Sequence, residues 1–261
     1  PADDQLAIDV TVAIQSGDLE AVRRLLTEHP GLARVEIGSD EPGGMRRSLL
    51  HAATDWPGHF PNNAATVRLL IEHGAEVDAR FAGPHTETPL HWTASSDDVE
   101  VMDVLLDAGA DIEALGAVIA GGTPIADATA FGQWNAARRL VERGARTNLF
   151  ESAVMGLMDR VESFLSGPNP ASADEITGAF WGACHGGKLD AARLLAARGA
   201  DPWWVSVWDG RTPLDAARGS RAEELARDPG DRQSDRHFGD VVEWLESLGG
   251  TRTSGSPVTP T

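Results

Sequence analysis

The sequence predicts an all-α solenoid, a stack of repeated helical units, and three observations carry that prediction. A leucine-rich run closed by Gly-Ala-acid or a near variant recurs at residues 69–76, 105–111, 140–146 and 194–201. Three of its glycines, Gly74, Gly109 and Gly144, stand 35 residues apart, and a fixed period of roughly 20 to 50 residues marks a stacked repeat array. A second phrase keeps the same register: Thr88-Pro89-Leu90-His91, Thr123-Pro124-Ile125-Ala126 and Thr212-Pro213-Leu214-Asp215 each precede an Ala-rich run, the first two 21 residues before a Gly-Ala.

Each phrase has a local physical reading. Threonine caps a helix start through its hydroxyl, and proline fits the first turn, where its missing N–H is no loss. The glycine of Gly-Ala-acid suits the left-handed conformation that ends a helix. These phrases resemble the ankyrin-repeat family, in which T-P-L-H-x-A opens the first of two helices. The resemblance covers nearly the whole chain and implies units of helix, tight turn, helix and outward loop. The prediction is therefore about six to seven helix-turn-helix units with projecting loops.

Taken in order, seven units of uneven quality are expected within a single domain over residues 1–250. The first spans about 3–35, with Ser16-Gly17-Asp18 as its interhelix turn, and lacks the Thr-Pro opening, as suits a cap. The second spans 45–80. The third and fourth, 85–114 and 121–148, match the pattern best. The fifth, 149–170, is degenerate, because Gly144 and Gly167 are only 23 residues apart and no Thr-Pro opens it. The sixth covers 174–201, and the seventh covers 209–248 with a polar insert near 227–236. Residues 251–261, rich in Ser, Thr, Pro and Gly, are expected to be disordered.

Composition bounds the function. A single cysteine, Cys184, among 261 residues excludes an internal disulfide and fits a reducing compartment. No apolar run reaches membrane-spanning length and no signal peptide opens the sequence, so a cytoplasmic location is expected and a membrane partner is not. A net charge of −18 with only 22 basic residues argues against nucleic acid. The same acidity favours a neutral or cationic ligand or protein partner. The chain also resembles bacterial stand-alone ankyrin proteins that lack attached signalling domains.

Function in the ankyrin fold resides on the concave face, formed by the first helices and the loops beside them. The second unit departs from the others there. His51 to Gly74 spans 23 residues where His91 to Gly109 spans 18, so five extra residues sit in Asp55-Trp56-Pro57-Gly58-His59-Phe60-Pro61-Asn62-Asn63, an unusually stiff and aromatic stretch for a surface loop. The next outward loop carries Arg80, Phe81, Pro84, His85 and Glu87, and the one after it, 115–122, is apolar and glycine-rich. A third loop holds Trp203, Trp204 and Trp208. Alignment on the Gly-Ala anchors adds Gln15, Ser16, Trp92, Ser95, Ser96, Asp127, Phe131, Met155 and His185 to the concave side.

The expected binding residues are therefore Asp55, Trp56, His59, Phe60, Arg80, Phe81, His85, Trp92, Ser95, Ser96, Asp127, Phe131, His185, Trp204 and Trp208. His51 and His91, in the fourth place of the repeated phrase, are expected to brace neighbouring loops, which is the role the resemblance implies. Without H-x-x-x-H or C-x-x-C spacing, neither a metal nor a cofactor is expected. Cys184 belongs to the buried Ala-Cys pair. Two functions compete: an aromatic concave groove that recognises a protein or ligand, or a cofactor-free acid/base enzyme of isomerase, dehydratase or cyclase type, or a small-molecule binder, in the same groove. An enzyme would draw on Asp55, His59, His85, Asp127 and His185.

Overall fold

The computed structural model describes residues 4–39 and 41–249, and the expected disorder of 251–261 lies outside them. The chain divides into two compact units, one up to Arg146 and one from Thr147. The first unit holds α1 (Gln5–Ser16), α2 (Leu19–Glu28), β1 (Glu36–Gly38), β2 (Arg46–Ser48), α3 (Leu49–Thr54), α4 (Asn63–Glu72), α5 (Pro89–Ser96), α6 (Val99–Asp107), α7 (Pro124–Ala130) and α8 (Trp134–Glu142). The second holds α9 (Leu149–Met155), α10 (Met158–Ser166), α11 (Ala173–His185), α12 (Leu189–Ala197), α13 (Pro213–Arg227) and α14 (Arg232–Gly249).

The repeated phrases become helix ends. Thr88, Thr123 and Thr212 are N-caps with proline at the first helical position. Beyond the second helices, Gly74, Gly109 and Gly144 take φ of 92°, 92° and 100°, a region glycine enters without steric cost. Between paired helices a single capping aspartate does the work: Asp18 accepts the Ala21 N–H and Asp98 the Val101 N–H.

In the first unit the first helices pack side by side in the order α1, α3, α5, α7, and the second helices pack as α2, α4, α6, α8. Alanines such as Ala52, Ala53, Ala94 and Ala128 line the contacts between first helices, where only a small side chain lets adjacent backbones approach. Leu50, Leu70, Leu90, Leu105 and Leu140 fill the space between the layers, each contributing about 1.5–3 kcal/mol by leaving water. In the second unit α9, α11 and α13 pack in sequence, and Phe180, Leu195, Val241 and Leu245 form the core with the alanines of α11 and α12.

Two features differ from the expected helical reading. β1 and β2 pair antiparallel, and Arg46 exchanges two 2.9 Å backbone hydrogen bonds with Ala82, so neighbouring outward loops are tied together by a short β arrangement. Strands of three residues are too short to show an alternating pattern in the sequence. The polar insert near 227–236 forms no long loop; it lengthens α13 to Arg227 and starts α14 at Arg232.

The inserted stretch 55–63 lies between α3 and α4, at the interhelix-turn end of the repeats, whereas the loop 78–88 lies at the other end of the same helices. It works as a strut across three successive turns. The Asn62 amide donates to Gly17 O at 3.0 Å on one side, and the His59 N–H donates to the Asp98 carboxylate at 3.1 Å on the other. Gly17 has φ of 70°, and a Cβ there would stand 2.1 Å from Pro61 O. Gly109, by contrast, has open space around it. Gly17→Ala should therefore cost more than Gly109→Ala, about 2–4 kcal/mol against about 1–2 kcal/mol, combining left-handed strain with a backbone clash in the first case only. Chemical denaturation of the two variants side by side checks the ordering.

Candidate binding surfaces

At the outward-loop end of the first unit, two buried histidines join successive repeats. His51 Nδ1 faces Ser48, with Oγ at 2.9 Å, and Nε2 lies 3.1 Å from Glu87 O in the next outward loop. His91 repeats the arrangement: Nδ1 accepts the Thr88 N–H at 3.1 Å and Nε2 lies 3.3 Å from Gly122 O. Because a carbonyl only accepts, Nε2 carries the proton in both rings and Nδ1 is the acceptor. Burial pushes both rings down to about 4, so they are neutral at pH 7.

An aromatic platform rests on this ladder. Trp92 meets the His51 ring edge-on at 4.8 Å and Phe81 at 5.5 Å. Beside it Glu87 is buried and hydrogen-bonded to Trp92, and burial raises its carboxyl above the ordinary range. Asp127 is fully buried on α7. Its Oδ1 accepts the Ile119 N–H at 3.2 Å while Oδ2 has no partner, and burial, reinforced by the charge of Glu87, lifts it to about 7. Asp127 thus holds the loop 115–122 from beneath. Arg80 holds it from the side, donating to Leu115 O and, at 3.0 Å, to Thr86 O. The loop then presents Leu115 (64% exposed), Val118 and Ile119 to solvent.

A different group gathers at the interhelix-turn end. Asp55 is ion-paired with Arg47 and accepts the Trp56 N–H. Trp56 is 80% exposed. His59 Nε2 lies 3.0 Å from Ser96 O, and Asp98, through Oδ2, accepts from both His59 N and the Asn63 amide. His59, Phe60, Arg68, Asp97, Glu100 and Asn135 are among the residues lining an open cleft of about 730 Å³. Ser95 and Ser96 spend their hydroxyls on the helix carbonyls of His91 and Trp92, and Phe131 ends α7 at the next turn.

The fifteen residues expected to line one groove therefore separate. Arg80, Phe81, His85 and Trp92 lie with the outward loops. Asp55, Trp56, His59, Phe60, Ser95, Ser96 and Phe131 lie at the turns, because the insert joins the C-terminal end of α3 to α4 and so braces turns. Asp127 and His185 are buried and present no open face: Asp127 packs under the loop, and His185 Nδ1 sits 2.8 Å from Ser220 Oγ. The expectation that these two line an accessible surface is corrected by the density of packing around α7 and α11.

In the second unit Trp204 and Trp208 belong to a larger aromatic cluster. Trp208 stands edge-on to Trp181 at 5.2 Å and to Phe150 at 6.1 Å, with Trp204 at 5.2 Å. Trp181 stacks on His185 at 5.3 Å and donates its indole N–H to Arg211 O at 3.1 Å. Phe150 and Trp181 were not legible in the sequence because no Thr-Pro phrase opens α9 or α11, leaving no register to place them. Among the described residues no group of three His, Cys, Asp or Glu is placed to hold a metal ion, and no helix is long and apolar enough to cross a membrane.

Residues 10–116 match the family model of ankyrin repeats, three copies. Among relatives, the palmitoyltransferase AKR1 of Lachancea kluyveri is 33% identical over 111 residues, covering 42% of this chain and 14% of that protein. The palmitoyltransferase Hip14 of Drosophila melanogaster is 33% identical over 110 residues, 41% of this chain and 15% of its own length. The putative ankyrin repeat protein FPV014 of fowlpox virus is 29% identical over 137 residues, 52% and 28% respectively. The chain thus spans less than a third of each. Ankyrin repeats are in general modules of protein–protein interaction.

The buried titratable groups fix the pH response. His51 and His91 have folded values below their unfolded ones, so the stability they confer is present above about 6.5 and is lost as pH falls toward about 4. Asp127 has the opposite sign: its contribution is full below about 4 and is lost as pH rises to about 7. The two effects oppose each other over one window. Asp127→Asn keeps an acceptor for Ile119 and removes the second effect, so its stability should climb more steeply than wild type between pH 4 and 6.5, by up to about 1.4 kcal/mol per pH unit. Urea titrations across that range measure it, and parallel curves for the two proteins would contradict the assignment.

Proposed function

Because the chain is an ankyrin-repeat protein, we propose that it is a recognition module for a protein partner, bound on the aromatic faces of its first helices and the adjoining loops. In the first unit the contact surface is Phe81 and Trp92 together with Leu115, Val118 and Ile119. In the second it is Trp204 and Trp208, supported by Phe150 and Trp181. One observation carries the reading: three large apolar side chains stand exposed on a loop that is fixed from below by Asp127 and from the side by Arg80. Exposed apolar surface on a pre-ordered backbone is what an interface hot spot needs, since little entropy is lost on binding.

The charge of −18 favours a partner surface that is neutral or cationic. A single buried cysteine suits a reducing, cytoplasmic setting. The acid/base alternative has less to support it: Asp127 is sealed from solvent, Asp55 is ion-paired with Arg47, and His59 is held on Ser96.

The test is affinity capture with a photo-crosslinker placed at position 118 of the same loop, comparing otherwise wild-type protein with Trp92→Ala and Leu115→Asp. A defined protein should be recovered with wild type, and each substitution should weaken its binding about 30-fold, as loss of roughly 2 kcal/mol at a hot spot implies. Leu115 is exposed, so Leu115→Asp should leave the thermal midpoint unchanged. Equal recovery by all three proteins would overturn the proposal.

A further inference from the structure

We propose that the carboxyl group of Asp127 is the latch of loop 115–122, and that its loss of a proton lifts the loop from α7 and takes apart the apolar surface formed by Leu115, Val118 and Ile119. The inference rests on the reading of that loop as the recognition surface and adds its regulation.

The latch is one fully buried side chain. Asp127 Oδ1 accepts the Ile119 N–H at 3.2 Å, whereas Oδ2 is buried without a partner. A neutral carboxyl tolerates that arrangement, but a carboxylate would hold one bare oxygen away from water, which is strongly unfavourable. The groups packed around it do not neutralise the charge. α7 carries no other titratable side chain, and the loop carries none. From the preceding outward loop, Glu87 is buried and adds a charge of the same sign, while Arg80 is committed to Leu115 O and Thr86 O. On α5, the neutral His91 ring is held between Thr88 and Gly122 O. On α8, Arg139 pairs with Asp103 and Glu142, and Arg138 donates to Asn135.

The loop yields more readily than the helix. α7 is fixed by Pro124 at its first turn and by Ile125 and Ala128 in the core. Within the loop only Ala117 is buried, and Leu115, Val118 and Ile119 are already exposed, so lifting removes little apolar contact. The feet of the loop are tied to each other: the Gly116 N–H lies 3.1 Å from Gly121 O and 3.0 Å from Gly122 O, so the segment moves as one piece. Ala120 stands at φ of 53°, a region that penalises a side chain, and lifting relieves that strain. With the loop raised, the proton passes to solvent and the carboxylate is hydrated.

Linkage gives the size of the effect. Burial, reinforced by Glu87, places the closed group at about 7, and a hydrated Asp titrates near 4. The loop-opening equilibrium therefore rises with pH between those values, by almost tenfold per unit, and levels off above them. Exposure of His91 has the opposite sign; every protein compared below retains His91, so its contribution cancels.

The experiment is hydrogen–deuterium exchange of the full chain with no partner present, read at the amides of residues 115–122 between pH 5 and 8 and corrected for the intrinsic pH dependence of exchange. The ratio of loop opening in wild type to that in Asp127→Asn should rise about 20-fold between pH 5 and 6.5 and level off above pH 7. Glu87→Gln keeps an acceptor for the Trp92 indole and removes the neighbouring charge, so its rise should level off at a lower pH. A ratio constant with pH would overturn the proposal, as would a Glu87→Gln profile identical to that of wild type. An equal change in the amides of α6 would place the effect in unfolding of the whole unit and overturn a local latch. Because exchange is read without a partner, failure here leaves capture through Trp92 and Leu115 standing, and failure of capture leaves the latch standing.

Discussion

A neutral imidazole that bonds in two directions sets the spacing on which the first unit depends. His51 and His91 each take a hydrogen bond at Nδ1 from the start of their own helix and give one at Nε2 to the outward loop of the next repeat. The ring can do this only while it is neutral, and burial keeps it so. Each histidine therefore fixes a helix start, a loop carbonyl and the step between repeats together. Trp92 and Phe81 are placed by packing on the first of these rings, and the second fixes the far end of the loop that carries Leu115 and Ile119.

Polar caps do the corresponding work at the opposite end of the repeats. Asp98 caps α6 and also receives His59 and Asn63 from the preceding insert, and Asp97 receives Asn135 and the Ala136 N–H from the next turn. One carboxylate thus satisfies donors from two repeats, so these acids serve the scaffold as acceptors for backbone N–H groups. The aromatic insert belongs to this scaffold. Its stiffness holds three turns in register, and its histidine is committed to a backbone carbonyl.

The second unit solves the same packing problem without the histidine ladder. α9 and α11 open without the repeated Thr-Pro phrase, and rings take over: Phe150, Trp181 and His185 stack along these two helices, with Trp208 set upright on them. Small residues make room beneath. A Cβ on Gly182 would meet Val154 and Phe150 at 2.8–2.9 Å, and one on Gly186 would meet the Val154 carbonyl at 2.1 Å. Close approach of α9 and α11 leaves the large rings nowhere to go but the face that carries the outward loop.

The repeat phrase, read alone, determined the helical class, the helix starts at Thr88, Thr123 and Thr212, and the left-handed glycines beyond the second helices, because all of these are fixed by backbone preferences within a few residues. The histidines were legible for the same reason, since their place in the phrase recurs. Which residues share a surface was decided only by tertiary structure. Asp55, His59 and Phe81 look like neighbours in the sequence, yet a helix hairpin carries the first two to one end and the third to the other. Asp127 and Trp92 occupy the same place in successive phrases, but the loop after Ala114 folds over one and leaves the other half-open. Burial and partnership depend on what the adjacent repeat brings into contact, and spacing along a single chain carries no record of that.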